Sequence, residues 1–320
     1  MKEHISILMV VLIILLTNVS LITLGTELNL KDTIYVDDDG TADYTKIQDA
    51  IDNASDGDTI IVFSGTYNES IKIDKSINLK GIEKDNTDIT KRITIKNTQW
   101  VNVSNFMISN NGWSGLSIEN CQHVVIKNNI ILNNEQIGIQ ITNSKNIFIE
   151  NNEIFNCIMT GISVYLDCDS FFISNNIIDG RKNDESLCGL KINSNNNVIE
   201  YNIFKNCSRG IILNHYVNVG GPSNNQIRRN TFFNLPRGIM ITNVESIVTE
   251  NNFFGEFYRE ISPKQFRTLS CRIRNNYYDD WSGFGPKIIH GEFEYFFYPT
   301  WIEIPFLMFD WHPSKEPYDI

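Results

Sequence analysis

Residues that hold transition metals or bind nucleic acid are scarce in this chain of 320 residues. Its six cysteines form no Cys-x-x-Cys pair, and its five histidines form no cluster with cysteine or methionine, which argues against zinc and copper sites. Lys and Arg number 27 against 38 Asp and Glu, a formal net charge of −11, so the chain lacks the basic surface that nucleic acid requires. We therefore expect no nucleic-acid partner, no metal and no other cofactor; calcium is allowed, but no motif supports it.

The cysteines also lack the regular spacing of a disulfide framework. They stand at Cys121, Cys157, Cys168, Cys188, Cys207 and Cys271. This irregular spacing in a large chain favours buried free thiols. An even number in an exported protein nevertheless permits disulfides, with Cys188–Cys207 the most plausible pair.

Charge is almost absent from residues 5–25, which follow a short start of Met-Lys-Glu-His. A run of this length and composition is typical of a signal peptide or, if it is not cleaved, of an N-terminal membrane anchor. We therefore expect residues 1–25 to direct export. The protein is then extracellular or at the cell surface, and it meets the membrane only through this segment.

An internal repeat fills the middle of the chain. A Gly-apolar-x-apolar element recurs six times, at Gly115, Gly138, Gly161, Gly189, Gly210 and Gly238. An asparagine followed by apolar or aromatic residues recurs every 22 to 28 residues, at Asn129, Asn152, Asn176, Asn202, Asn230, Asn252 and Asn276. Such a fixed period is the signature of a solenoid.

Each repeat contains three short segments of alternating apolar and polar residues, for example residues 116–118, 124–126 and 130–132. Segments this short become stable when successive coils pair in parallel, about 4.8 Å apart. Isoleucine dominates their apolar positions, as suits buried parallel strands. The sequence therefore predicts an all-β fold, a single-stranded right-handed parallel β-helix with three sheets and about nine or ten coils.

The repeated asparagines are predicted to be structural. Asparagine tolerates the left-handed conformation that the bend between the second and third strands needs. Stacked amides can also hydrogen-bond from coil to coil as a ladder. The repeated glycines are predicted to relax the turn into the first strand.

The ends of a solenoid need covering, and the sequence predicts four segments. Residues 1–25 are the signal peptide or anchor, 26–58 an N-terminal strand and capping helix, 59–276 the β-helix, and 277–320 an aromatic C-terminal cap. The helix is predicted between Asp43 and Ser55, with Ile47, Ala50 and Ile51 on one face. The aromatic segment is either a cap or a platform for sugar rings or a partner.

Two parts of the chain resemble a known superfamily. Residues 34–40 (Ile-Tyr-Val-Asp-Asp-Asp-Gly), 44–51 (Tyr-Thr-Lys-Ile-Gln-Asp-Ala-Ile), 57–62 (Gly-Asp-Thr-Ile-Ile-Val) and 65–67 (Gly-Thr-Tyr) resemble the N-terminus of pectin-lyase-like proteins. The coils over residues 93–278 resemble NosD-type right-handed β-helix repeats. The resemblance implies this fold over about residues 34–290. It implies no single activity, because the superfamily includes lyases, hydrolases, epimerases and adhesins.

The catalytic motifs of the superfamily are not matched. The chain has no Gly-His-Gly, and Asp279-Asp280 lies beyond the last predicted coil. Arg272-Ile273-Arg274 aligns with a second strand, away from the usual cleft. No cluster of calcium-binding carboxylates with an arginine base is evident either.

A site is therefore expected on the outward residues of the first strands and on the loops beside them. Those outward residues are Ser117, Gln140, Ser163, Lys191, Ile212 and Met240. Two longer connections, residues 179–188 and 215–225, flank a shallow cleft there. Its catalytic candidates are Asp167 and Asp169 as an acid/base pair with Arg209 and His215; its ligand-binding candidates are Tyr165, Lys191 and Arg237.

Three functions remain open. The sequence favours a non-catalytic binding or structural module for glycans or cell-envelope partners. The alternatives are a polysaccharide lyase or glycoside hydrolase and, third, a NosD-like accessory protein for a metalloenzyme. A negative chain does not favour acidic polysaccharide in general, but a local basic cleft can override the net charge.

Overall fold

The computed structural model describes residues 31–320 except 110–111, 166–167, 181–186, 214–223, 243–244, 256–258, 265–270 and 298–299. The predicted signal peptide or anchor, residues 1–25, lies outside the described residues. No helix within the described part is long and apolar enough to span a membrane. The strands and helix below all belong to one unit, Thr33–Ile320.

Three sheets wind through this unit, and each coil contributes one strand to each sheet. The first sheet contains Ile71–Ile73, Ile93–Lys96, Ser114–Glu119, Ile137–Thr142, Thr160–Val164, Cys188–Ile192, Arg209–Leu213, Arg237–Thr242, Arg259–Lys264, Lys287–Phe297 and Thr300–Asp310. The second sheet contains Thr33–Val36, Thr59–Val62, Asn78–Gly81, Gln99–Ser104, Gln122–Lys127, Lys145–Glu150, Asp169–Ser174, Val198–Glu200, Asn225–Arg228, Ser246–Thr249 and Arg272–Arg274. The third sheet contains Gly65–Tyr67, Thr87–Ile89, Met107–Ile108, Ile130–Leu132, Glu153–Phe155, Ile177–Asp179, Ile203–Lys205, Thr231–Phe233, Asn252–Phe254 and Tyr277–Tyr278. This arrangement confirms the predicted three-sheet parallel β-helix.

The alternating sequence determines which side chains enter the core. In Ile137–Thr142, Ile139 and Ile141 are fully buried while Gln140 between them faces outward. On the third sheet the rings of Phe204, Phe232, Phe253 and Tyr278 stack coil on coil, with centroids 4.9–5.2 Å apart. Parallel pairing places equivalent residues in register, so each core position repeats as a column.

The asparagine ladder runs through the bend between the second and third sheets. Asn152 Oδ1 accepts hydrogen bonds from the backbone N–H and Nδ2 of Asn129 at 3.0 and 3.1 Å, and the same pair of bonds recurs up the stack. Its members are Asn129, Asn152, Asn176, Asn202, Asn230, Asn251 and Asn276, all fully buried. These bonds satisfy amides that burial would otherwise leave unpaired.

One predicted ladder residue is wrong. Asn251, not Asn252, bonds to Asn230 below it and to Asn276 above it. Asn252 is already the first residue of a third-sheet strand, and its side chain instead bonds to the backbone of Tyr318. The preceding coil is short, so the ladder interval is 21 residues there.

The left-handed residue at this bend is also not the ladder asparagine. It is the residue just before: Asn128, Asn151 and Asn175 have φ of 55–56°. The two tasks are separate because the left-handed residue turns the chain, whereas the ladder residue must point into the coil to reach its neighbours.

The repeated glycines serve packing rather than the turn. The described residues with positive φ do not include Gly189 or Gly210. A Cβ on Gly189 would lie 2.6 Å from Phe204 Cδ1 and 2.7 Å from the Gly210 carbonyl oxygen. Glycine is therefore needed here because the core and the next coil approach the backbone closely.

The N-terminal helix is shorter than predicted, Ile47–Asn53. Ile47, Ala50 and Ile51 are buried, as their spacing predicts, and the helix packs on neighbouring strands of the first and second sheets. Glu69 accepts hydrogen bonds from the N–H groups of Ile47 and Gln48 at 2.8 and 3.0 Å. This remote carboxylate satisfies the first turn, which is why the helix begins at Ile47 rather than near Asp43.

The segment predicted as an aromatic C-terminal cap contains a β-hairpin. Lys287–Phe297 and Thr300–Asp310 pair antiparallel and extend the first sheet. Among the aromatic residues of the segment 277–320 that lie outside the hairpin strands, Trp281 is partly buried and packs against the core, whereas Phe284 and Trp311 are exposed.

All six cysteines are free and buried. The pair proposed as the most plausible disulfide, Cys188 and Cys207, is not bonded. Burial raises the pKa of Cys188 and of Cys271 to about 12 and holds that of Cys207 well above its usual range.

Candidate functional site

The predicted outward column of the first sheet is in register. Ser117, Gln140, Ser163, Lys191, Ile212 and Met240 pair strand by strand. Ser163 and Ile212 are nonetheless buried, and Lys191 between them is half-buried. This part of the column offers a ligand little accessible surface.

The predicted arginine residues occupy a second column at the start of the same strands. Arg209 pairs with Cys188 on one side and with Arg237 on the other. Arg209 Nε is buried without a hydrogen-bond partner among the described residues. Tyr165 follows the strand Thr160–Val164 and is half-buried.

The predicted carboxylate pair is not brought together on the first sheet. Asp169 begins a strand of the second sheet, where it accepts hydrogen bonds from Asn196 Nδ2 and Ser170 Oγ, both at 2.8 Å. The chain has already turned the corner before Asp169, so its side chain belongs to the next face. Asp167 and His215 lie outside the described residues. Within the described part, no three His, Cys, Asp or Glu side chains are grouped to hold a metal ion.

The second sheet carries a better-formed site. Two adjacent depressions of about 390 and 520 Å³ lie on its outer face, over the strands from Val198–Glu200 to Arg272–Arg274. They share Gln226 and Ile247. We call this surface the arginine groove, because its lining includes Arg228, Arg229, Arg272 and Arg274, with Glu200, Glu245 and Glu250.

The strand register explains how these side chains meet. Arg228 pairs with Glu200 on one side and with Thr249 on the other, and Thr249 pairs with Arg274. Inward residues alternate with them and are buried, as Ile227 and Val248 show. The polar column is therefore held on the outer face by the core beneath it.

Two of the four arginines are neutralised locally. Arg228 Nε donates to Glu200 at 2.6 Å. Arg229 donates to Tyr201 and, at 2.7 Å, to Glu250, and its guanidinium lies 5.7 Å from the Tyr201 ring centroid. The hydrogen bonds to Tyr201 and Glu250 raise the pKa of Arg229 further above its ordinary value.

The other two arginines are available. Arg272 and Arg274 are exposed, stand two residues apart on the same face, and have no ion pair or hydrogen bond with any residue that the structure describes. Unpaired guanidiniums beside a paired network leave a local excess of positive charge. Such a surface suits carboxylate, sulfate or phosphate groups.

A backbone signal marks the same place. Tyr201, Arg229 and Glu250 have φ of 54–58°, a conformation that costs bulky residues free energy. Each of them lies immediately before a ladder asparagine. In other coils this position is itself an asparagine: Asn128, Asn151, Asn175 and Asn275. The repeated Asn-Asn pair is therefore broken at these three coils. This break is a sequence signal for the groove that the predicted first-sheet site did not use.

Known proteins share this architecture. The model of the family described as right handed beta helix region matches residues 92–254. Pectin methylesterase from carrot is 12% identical over 75% of this chain and 87% of that chain, with a TM-score of 0.52. Alginate lyase from Paenibacillus sp. str. FPU-7 is 14% identical over 76% of this chain and 95% of that chain, with a TM-score of 0.47. No curated protein matches the chain significantly.

Likeness at these identities concerns the fold alone. The family match, by contrast, spans 163 of the 320 residues and includes the strands that build most of the ladder. The resemblance to pectin-lyase-like proteins is thereby confirmed, and the chain belongs to the family of proteins with a right-handed β-helix region.

Proposed function

We propose that this protein is a non-catalytic binding module that holds an acidic polysaccharide in the arginine groove. The observation that carries the proposal is the pair Arg272 and Arg274, exposed and without partners among the described residues. Each guanidinium presents a fork of donors that matches a carboxylate or sulfate group.

The charge of the groove differs from that of the whole chain. Four arginines and three glutamates line it, a local balance of about +1 against −11 for the chain. An acidic ligand is therefore attracted to this face and repelled elsewhere. Salt should weaken its binding because exposed charges are screened.

The surroundings suit a sugar chain. Asn224, Gln226 and Asn275 supply amides beside the arginines, and Tyr201 adds a ring with a hydroxyl. The depressions are shallow surfaces on a flat sheet, which suits a polymer better than a small enclosed ligand. The fold shared with a pectin methylesterase makes pectin-like polysaccharides the first class to test.

Binding without catalysis is supported by the pairing of two of the three glutamates in the groove. Glu200 and Glu250 each accept a hydrogen bond from an arginine, so neither is positioned to act as a general acid on a ligand. No histidine or cysteine is among the described residues that line the groove. Among the described residues, no comparable arrangement supports a lyase, a hydrolase or a metalloenzyme accessory role.

Export through residues 1–25 is part of the proposal, since an acidic polysaccharide is an extracellular ligand. N-terminal sequencing of the protein recovered from culture medium and from membranes distinguishes a cleaved leader from a retained anchor.

The test of function is a binding screen with product analysis. The full chain is titrated with polygalacturonate, alginate and heparin, and with neutral dextran as the matched uncharged polymer. The same mixtures are analysed for new reducing ends and unsaturated products. Binding to an acidic polymer but not to dextran, with no product, supports the proposal. Product formation, or equal binding to dextran, contradicts it.

A further inference from the structure

We infer that the ligand of this protein is an extended linear chain that lies along the outer face of the second sheet, from the arginine groove to an aromatic subsite at Trp100. This inference rests on the proposed function and adds to it the length and path of the ligand.

The left-handed residues show that this face is unusual. Among the described residues, 21 other than glycine have positive φ, and 15 of them are asparagine. The six that are not asparagine all border strands of the second sheet: Trp100, His123, Ser170, Tyr201, Arg229 and Glu250. The left-handed residues at corners that border only the first and third sheets are asparagine, as at Asn133 and Asn156, or glycine, as at Gly255. Among the described residues, asparagine is therefore replaced by another residue with a side chain only beside the second sheet, where side-chain chemistry has outweighed backbone preference.

The subsite is a ring stack on Gln99–Ser104 and Gln122–Lys127, the fourth and fifth of the eleven strands of this sheet. The Trp100 indole lies parallel to the His123 imidazole, with centroids 4.0 Å apart and planes 9° apart. His123 Nε2 lies 3.4 Å from Asn146 Nδ2, which helps to hold the imidazole in place. Trp100 is 60% exposed, so burial in the core does not offset the free-energy cost of its left-handed conformation. A supported indole with a free face is the kind of surface on which the apolar face of a sugar ring stacks.

An apolar column runs from the strand that carries His123 to the groove. The register runs Val125, Phe148, Phe172, Val198, Gln226, Ile247 and Arg272 on successive strands. Phe148 is 38% exposed, and its ring centroid lies 6.2 Å from that of Phe172. The aromatic part of the column thus leads directly into the groove, with no change of face.

Strand spacing gives the length of the path. Seven strand-to-strand steps separate Gln99–Ser104 from Arg272–Arg274, or about 34 Å at 4.8 Å per step. A short oligosaccharide can fill the groove alone, whereas only a long chain can also reach the rings. The inference therefore predicts that affinity depends on chain length.

The experiment measures the affinity of the full chain for oligogalacturonides of two to twelve residues by calorimetry. Four variants accompany the wild type: Phe148→Ala, Trp100→Ala, Trp100→Asn and Phe233→Ala. Trp100→Asn installs the residue that other left-handed positions use, so it keeps the fold. Phe233 is the matched control, since it is 39% exposed but lies on the third sheet.

Affinity of the wild type should rise with chain length. Replacing Trp100 or Phe148 should weaken binding of the longest oligomers by about threefold to tenfold and leave the shortest unchanged, because each ring contact contributes modestly. Phe233→Ala should change neither. This inference is overturned if affinity does not depend on chain length, or if replacing Trp100 has as little effect as replacing Phe233. Either result leaves the proposed function standing. Absence of binding at every length, together with absence of binding to every acidic polymer of the screen, overturns both.

Discussion

The Asp310 carboxylate ends the asparagine ladder by accepting hydrogen bonds from the backbone N–H and Nδ2 of Asn276 at 3.0 and 3.1 Å. It also accepts from the N–H groups of Asn275 and His312, both at 3.1 Å, and it is fully buried. The last ladder amide therefore meets an acceptor from the C-terminal hairpin where a further coil would otherwise stand.

Replacing Asp310 should accordingly lower the stability of the folded protein. Asp310→Ala leaves several buried donors without an acceptor, and we expect the free energy of unfolding to fall by about 2–4 kcal/mol. Urea denaturation measures it. Asp280→Ala is the control, since the one ion pair of this exposed aspartate within the described part of the chain is with Lys287, and its loss should cost about 0.5 kcal/mol or less. Equal effects of the two variants would show that Asp310 does not close the ladder.

The neighbours Asn251 and Asn252 should respond differently to alanine. Asn251→Ala removes the two bonds that its Oδ1 accepts from Asn230, the bond that its Nδ2 donates to Asn276 and two bonds to carbonyl oxygens. It should therefore destabilise the whole solenoid by about 2–4 kcal/mol. Asn252→Ala removes bonds to Tyr318 and should mainly release the C-terminal tail. Urea denaturation reports the first effect and limited proteolysis the second. A larger loss of stability in Asn252→Ala than in Asn251→Ala would show that Asn252 is the ladder residue, as the sequence predicts.

Replacing Tyr201 or Glu250 should change binding rather than stability. Asparagine is the more favourable residue at positive φ, while the exposed contacts to Arg229 contribute about 0–1 kcal/mol. Tyr201→Asn and Glu250→Asn should thus leave the free energy of unfolding within about 0.5 kcal/mol of wild type. Loss of the Tyr201 ring should weaken polysaccharide binding, whereas Glu250→Asn removes a negative charge beside Arg229 and should strengthen it. A loss of stability above that range together with unchanged binding would mean that these residues serve the fold.

Alkaline pH should destabilise the protein through its buried thiols. The pKa of Cys188 and of Cys271 is raised to about 12, so these thiols stay protonated in the folded chain while those of the unfolded chain ionise from about pH 8.5. The unfolded state then binds fewer protons, and the free energy of unfolding falls by about 1.4 kcal/mol per pH unit for each thiol between about pH 8.5 and 12.

Urea denaturation between pH 7 and 10.5 under reducing conditions tests this slope. Cys188→Ala should flatten it by the contribution of one thiol, whatever the mutation costs at pH 7. An unchanged slope in Cys188→Ala would show that this thiol does not couple folding to pH.

The fold could be predicted from sequence because its signals are local and repeated. Alternation over three residues reveals a strand, and the recurrence of glycine and asparagine reveals the coil. The position of Asn251 could not be predicted, since an Asn-Asn pair offers two candidates and only the hydrogen bonds choose between them. The hairpin that carries Asp310 lies outside the repeat, so the period of the repeat could not predict it.

The candidate site was harder to predict for a physical reason. The sequence predicts a site on the first sheet, but Asp169 lies on the second sheet. Arg272 and Arg274 are correctly predicted on a second strand, which the sequence alone does not indicate as a site. Their importance depends on what surrounds them, namely the paired Arg228 and the left-handed Arg229, which lie more than forty residues earlier in the chain.

The most direct test of the account is the affinity of the double variant Arg272→Gln, Arg274→Gln for the acidic polysaccharide that binds best. Calorimetry at low and at physiological salt compares it with wild type and with Arg92→Gln, an exposed arginine outside the groove. The account predicts a loss of at least about tenfold for the double variant, a weaker salt dependence, and no change for Arg92→Gln. Unchanged affinity and salt dependence in the double variant would contradict it.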